Sequence, residues 1–116
     1  MAATDRLSLV FAALADPTRR EILSRLAQGP ATVGEVAGPF DMSAPAISQH
    51  LKVLERAGLV TRTVTAQWRT LSLEAQPLSE AATWVDEQRR DWNLRLDALE
   101  HHLEAMTART NNDVQE

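Results

Sequence analysis

A mainly α-helical fold carrying one small β-hairpin is what this sequence predicts, and three features predict it. Apolar residues recur at helical spacing over most of the 116 residues. The stretch from Leu59 to Leu73 turns instead to Thr, Val and Leu, the composition of strands. Pro and Gly fall at the boundaries between these segments. The order of elements is four helices, two strands and a final helix.

Residues 5–14 set Leu7, Val10, Phe11 and Leu14 at helical spacing, and Asp16-Pro17 closes this first helix. Asp16 next caps a second helix, with Pro17 at its first position and Glu21 near its positive end. Ile22, Leu23 and Leu26 give that helix an apolar face, and Gly29-Pro30 stops it. Thr32 caps a short third helix, Val33 to about Ala37, and Gly38 to Met42 form a loop. The fourth helix runs from about Ala44 to Ala57, capped by Ser43, with Pro45 in its first turn and Gly58 as a left-handed stop. Leu59–Val64 and Trp68–Leu73 then flank Thr65-Ala66-Gln67, a hairpin whose turn carries neither Asn-Gly nor Asp-Gly. From Pro77 to about Thr107 the chain reads as one long helix without internal Gly or Pro. A single domain over residues 1–106 is expected, followed by a polar, frayed tail at 107–116.

The fourth helix has two different faces. Ile47, Leu51 and Leu54 fall at i, i+4 and i+7 and must pack on something, while Ala44, Pro45, Ser48, Gln49 and Lys52 face elsewhere. That second face is short-chained, polar and basic, with no acid between Ser43 and Lys52, and it suits a DNA major groove. A short helix, a turn and a longer helix form a helix-turn-helix, and a hairpin directly behind it is a wing. The fold is therefore read as a winged helix-turn-helix, with Arg62 and Arg69 of the wing placed to reach flanking phosphates. Trp68 is expected to pack at the base of the wing, because tryptophan gains most from burial.

The net charge of −4 speaks against nucleic acid only until its distribution is considered. Eight basic residues stand against seven acidic ones up to Glu74, and four against nine beyond it. Between Ser43 and Leu73 the basic residues are Lys52, Arg56, Arg62 and Arg69, and Glu55 is the one acid. The positive island coincides with the helix and wing.

In the last helix Leu78, Val85, Trp92, Leu99 and Met106 repeat every seven residues, with Ala82, Leu96 and Leu103 at the +4 positions and Arg89 breaking the pattern. So long a stripe calls for a partner helix, most economically that of a second copy. A homodimer is expected, its interface built from Leu78, Val85, Trp92, Leu96, Leu99 and Leu103 with help from Leu7, Val10 and Phe11.

Several function classes are excluded or weakened. The absence of cysteine removes disulfides, thiolate metal sites and a thiol nucleophile together. The longest apolar run, Leu9 to Ala15, is too short for a bilayer, and Met1 to Asp5 lack a basic leader, so a cytoplasmic protein is expected. No Gly-rich phosphate loop and no His placed with a nucleophile suggest an enzyme, and no cofactor is implied. A winged helix that binds protein is an alternative, which an acidic or apolar outer face would have signalled.

With these residues in place, the chain resembles the ArsR/SmtB family of bacterial winged-helix repressors over roughly residues 5 to 105. The resemblance is carried by Leu14-Ala15-Asp16-Pro17-Thr18-Arg19-Arg20-Glu21-Ile22-Leu23 and by Ser48-Gln49-His50-Leu51-Lys52-Val53-Leu54-Glu55-Arg56-Ala57-Gly58-Leu59-Val60. It implies a homodimer on an imperfect palindrome of operator DNA, blocking transcription, with Ser43, Ala44, Pro45, Ser48, Gln49, His50 and Lys52 as the DNA-reading positions. His50 also has a bland reading, as a half-buried histidine beside Ile47 and Leu54 that fixes the helix. Arg19 and Arg20 are either phosphate contacts or solvated charges.

The family's metal sensors use cysteines near the recognition helix, or Asp, His and Glu on the last helix. This chain has no cysteine, and Trp84 with Trp92, followed by Leu94-Arg95-Leu96-Asp97-Ala98-Leu99-Glu100, is similar to the metal-independent members. The adjacent His101 and His102 point about 100° apart on a helix and cannot share one metal face. A metal-responsive repressor using Asp97, His101 or Glu104 is the alternative, and neither operator nor small-molecule effector is named by the sequence.

Overall fold

The computed structural model describes residues 5–115, so Met1–Thr4, Glu116 and the readings that touch them lie outside it. Residues up to Ala81 form one compact unit and those from Ala82 a second. The helices of the first unit are α1 (Arg6–Leu14), α2 (Pro17–Leu26), α3 (Val33–Ala37) and α4 (Ala44–Arg56). Its strands are β1 (Ala31–Thr32), β2 (Val60–Thr65) and β3 (Trp68–Leu73). A last helix, α5 (Gln76–Gln115), begins in the first unit and continues as the second.

The three helix caps expected from the sequence, Asp16, Thr32 and Ser43, have their chemistry in place. Thr18 and Arg19 N–H groups donate to Asp16 Oδ1 at 2.8 and 3.2 Å, and Pro17 follows at a position where an N–H would find no partner. Thr32 and Glu35 form a reciprocal capping box on α3. Ser43 Oγ accepts from Ala46 N–H at 3.3 Å, and Gly58, at φ +77°, ends the chain's helical course after α4. Val10 and Ala13 of α1, Ile22, Leu23 and Leu26 of α2, and Ile47, Leu51 and Leu54 of α4 are buried together with Leu59, Val60 and Leu71.

The sheet has three antiparallel strands in the order β1-β3-β2, not the two expected. Ala31 pairs with Leu71 and Thr32 with Thr70, so the two residues between Gly29-Pro30 and α3 tie the root of the wing to the helix-turn-helix. Two residues are too few to show a period of two, which is why pattern alone missed them. The turn is also tighter than expected. Thr65 pairs with Trp68, leaving Ala66-Gln67 as the loop, and Ala66 takes φ +55°. Alanine there stands in the left-handed region that hairpin loops normally give to glycine or asparagine.

Trp68 corrects the sequence reading. It lies at the tip of the wing and is 62% exposed, because pairing with Thr65 puts it beyond the reach of the core. Val10 is 1% exposed and belongs to the core of the first unit, not to a surface that a second copy can touch. Apolar spacing does not distinguish those two fates. Leu7 and Leu78 are packed half-buried against the same core, and Phe11 is exposed.

In the second unit α5 continues to Gln115, beyond the end near Thr107 that its polarity suggested. No Gly or Pro interrupts it, and Thr110 Oγ1 donates back to Met106 O at 2.9 Å, so the helix has no reason to stop at Thr107. Val85, Trp92, Leu96, Leu99, Leu103 and Met106 are all exposed along it. None of the described helices is long and apolar enough to cross a membrane.

Replacing Ala66 by glycine removes the left-handed strain of the wing turn. Ala66→Gly is expected to stabilise the protein by about 0.5–1 kcal/mol, after allowance for glycine's freer unfolded chain. A urea midpoint equal to or below that of the parent would contradict the turn geometry.

Candidate nucleic-acid interface

Burial of Ile47, Leu51 and Leu54 sets the rotation of α4 about its axis. The opposite side then carries Ser43, Ala44, Pro45, Ser48, Gln49 and Lys52, and all six are exposed. Ser, Ala and Pro keep this side low, so a partner surface can approach the backbone while Gln49 and Lys52 project. Ser43 uses its oxygen as the helix cap and keeps its hydroxyl proton for an outside acceptor. Lys52 makes no ion pair within the described residues.

The two wing arginines, equivalent in the sequence, differ in the structure. Arg62 donates to Glu55 Oε1 from Nη2 at 2.7 Å and from Nε at 3.2 Å, which fastens β2 to the end of α4. Its charge is matched before any DNA arrives. Arg69 is exposed, and among the described residues no carboxylate pairs with it. Both stand at the rim of a cleft of about 210 Å³ between α3, α4 and the wing, with Val33, Ile47 and Leu51 also lining it.

Arg19 and Arg20 are neither free phosphate contacts nor merely solvated. Arg19 donates from Nε to Ala13 O at 2.7 Å and from Nη2 to Ala12 O at 3.0 Å, and Arg20 Nη1 donates to Leu14 O at 2.7 Å. They satisfy the open carbonyls at the end of α1 and complement its negative pole. The signal was present in the sequence as a basic pair just after a helix break. The third arm of Arg19 reaches α4, where Nη1 lies 3.2 Å from His50 Nδ1. His50 is therefore half-buried, with its Nδ1 side against the α1–α2 junction.

Two carboxylates are shifted. Partial desolvation raises the Asp16 pKa, but the N–H of Arg19, the charge of His50, the N–H of Thr18 and the charge of Arg19 together bring it below the usual aspartate value. The backbone N–H and hydroxyl of Thr32 lower Glu35, against desolvation and with help from Arg25. Both shifts report helix caps. On α5, Asp97, Glu100, His101 and Glu104 line a shallow surface depression, and no group of three or more His, Cys, Asp or Glu able to hold a metal occurs among the described residues.

A depressed carboxyl pKa means that the unfolded chain binds the proton more tightly than the folded one. The contribution of Asp16 is then present above its unfolded value and is lost as pH falls through the lower folded value, below about pH 4. Parent and Asp16→Ala should differ clearly in urea midpoint at pH 7, and the difference should shrink steadily as the pH is lowered through the acid range. An undiminished difference at the acid end would contradict the capping role.

A family model described as "Bacterial regulatory protein, arsR family" matches residues 16–62, from the α2 cap through Arg62. The HTH-type transcriptional regulator Rv2034 of Mycobacterium tuberculosis is 47% identical over 74 residues, 64% of this chain and 69% of that protein. The transcriptional repressor SdpR of Bacillus subtilis is 38% identical over 76 residues, 66% of this chain and 84% of that one. Among solved structures, the ArsR family transcriptional regulator RHA00566 superposes with a TM-score of 0.73 at 42% identity, covering 77% of this chain and 98% of its own.

Proposed function

The chain belongs to the ArsR family of bacterial regulatory proteins, and from that premise we propose that it is a homodimeric repressor acting on a palindromic operator. The observation that carries the reading is the outer face of α4, from Ser43 to Lys52, free of acid and held outward by three buried aliphatic residues. That face enters the major groove. Gln49 reads a base edge through its amide, Ser43, Ala44, Pro45 and Ser48 allow close approach, and Lys52 meets the backbone. Arg69 adds a flanking phosphate from the wing, whereas Arg62 acts chiefly by keeping the wing against α4.

The dimer rests on the second unit. A helix exposing Val85, Trp92, Leu96, Leu99 and Leu103 buries that stripe against the same helix of another copy, and the twofold axis so created matches a palindrome. Repression follows from occupying the promoter, and SdpR of Bacillus subtilis, a relative named a repressor, supports that sign. An electrophoretic shift on the DNA upstream of the protein's own gene tests the whole reading. Preference over a scrambled duplex is expected, and equal affinity for both would overturn it.

The roles within the interface separate by salt. Gln49→Ala should cost about 1–3 kcal/mol on operator DNA and little on a scrambled duplex. Arg69→Gln should weaken both duplexes alike and reduce the slope of log affinity against log salt by about one unit. Arg62→Gln should change that slope less, because Glu55 already holds its charge. Loss of operator preference in Arg69→Gln would instead assign sequence reading to the wing.

Sedimentation equilibrium at micromolar concentration should give twice the chain mass. Leu99→Asp places a charge in the middle of the stripe and should yield a folded monomer. A parent that sediments as a monomer would remove the dimer.

A further inference from the structure

The contact between Arg19 and His50 determines where the imidazole keeps its proton. A guanidinium carries only donors and stays charged, so the nitrogen facing it must offer a lone pair. Arg19 Nη1 stands 3.2 Å from His50 Nδ1. The competing acceptor, Asp16 Oδ1, is 4.0 Å from the same nitrogen, beyond hydrogen-bond reach, and already accepts two backbone N–H groups. Arg19 cannot turn aside, because its Nε and Nη2 are anchored on the carbonyls of Ala13 and Ala12.

The neutral ring then carries its hydrogen on Nε2. Among the described residues no buried side-chain nitrogen or oxygen lacks a partner, and Nε2 makes no bond within them, so Nε2 reaches solvent. It does so from a side chain that is 18% exposed, next in sequence to Gln49 and on the flank of α4 nearest α2. A donor on that flank meets the edge of a groove, where the sugar-phosphate backbone runs.

We propose that Arg19 is a positioning residue that holds His50 in the Nε2–H form, and that the ring so held donates a hydrogen bond to a DNA phosphate. The inference rests on the DNA-binding reading above and extends the interface to a residue of α2 that touches no DNA itself. It also gives the arginine of the Asp16-Pro17-Thr18-Arg19 turn a task beyond capping α1. The same guanidinium that ends one helix chooses the tautomer on another.

The test uses the full chain and a random-sequence duplex at low salt, since a phosphate contact needs no operator. Long-range proton–nitrogen correlation should show the Nε2–H tautomer of His50 in the parent and a loss of that preference in Arg19→Met. His50→Phe should bind the duplex about tenfold more weakly. His50→Gln should retain binding, because its amide N–H stands where Nε2–H stood and has no tautomer to choose. Arg19→Met alone should be weakened, and the double variant Arg19→Met, His50→Gln should recover the affinity of His50→Gln. A parent with the proton on Nδ1, or a double variant as weak as Arg19→Met, would overturn the proposal, the latter by leaving Arg19 a purely structural role. A parent that fails to bind the duplex at all would overturn the DNA-binding reading, whereas His50→Phe binding like the parent would overturn only this one.

Discussion

The structure of the first unit depends on how the chain turns between α1 and α2. A helix ends there with unsatisfied carbonyls and another begins with unsatisfied N–H groups, with two residues between them, and both sets must be satisfied in a space shared with α4. Asp16 takes the N–H groups, and Arg19 and Arg20 take the carbonyls. Because Arg19 also meets His50, the turn is coupled to the helix that faces outward. The apolar core supplies most of the stability by area. The polar junction adds a tie between that turn and α4, whose rotation the core has already set.

Much of this was legible in the chain. Asp16-Pro17, Thr32 with Glu35, Ser43 and Gly58 are local signals whose chemistry is complete within a few residues, and the helices begin and end where these residues place them. The outward face of α4 was legible for the same reason, since the spacing of Ile47, Leu51 and Leu54 leaves Ser48, Gln49 and Lys52 only one side to occupy.

What was not legible depends on pairing at a distance. Arg62 and Arg69 are both basic residues of a hairpin, and only the register, which sets Arg62 opposite Leu71 and Arg69 opposite Val64, shows that one is within reach of Glu55 and the other is not. Trp68 read as core because tryptophan usually is, yet a two-residue loop put it at the tip. Val10 read as interface because a helix with an apolar stripe does not announce which partner covers it. β1 was invisible because two residues carry no period.

The bond between Arg62 and Glu55 has a consequence for solubility. β3 is the central strand, β1 offers only two residues, and β2 therefore presents a six-residue edge whose outward-pointing backbone N–H and C=O groups, those of alternate residues, have no strand beside them among the described residues. Free edges of that length invite strands of neighbouring molecules and are a common start of aggregation. Here the edge carries a charged side chain turned inward and already engaged beneath the sheet, so a foreign strand that added to β2 would have to cover Arg62 without offering it a better carboxylate. An arginine turned toward α4 is thereby a built-in guard on the one long edge of the sheet.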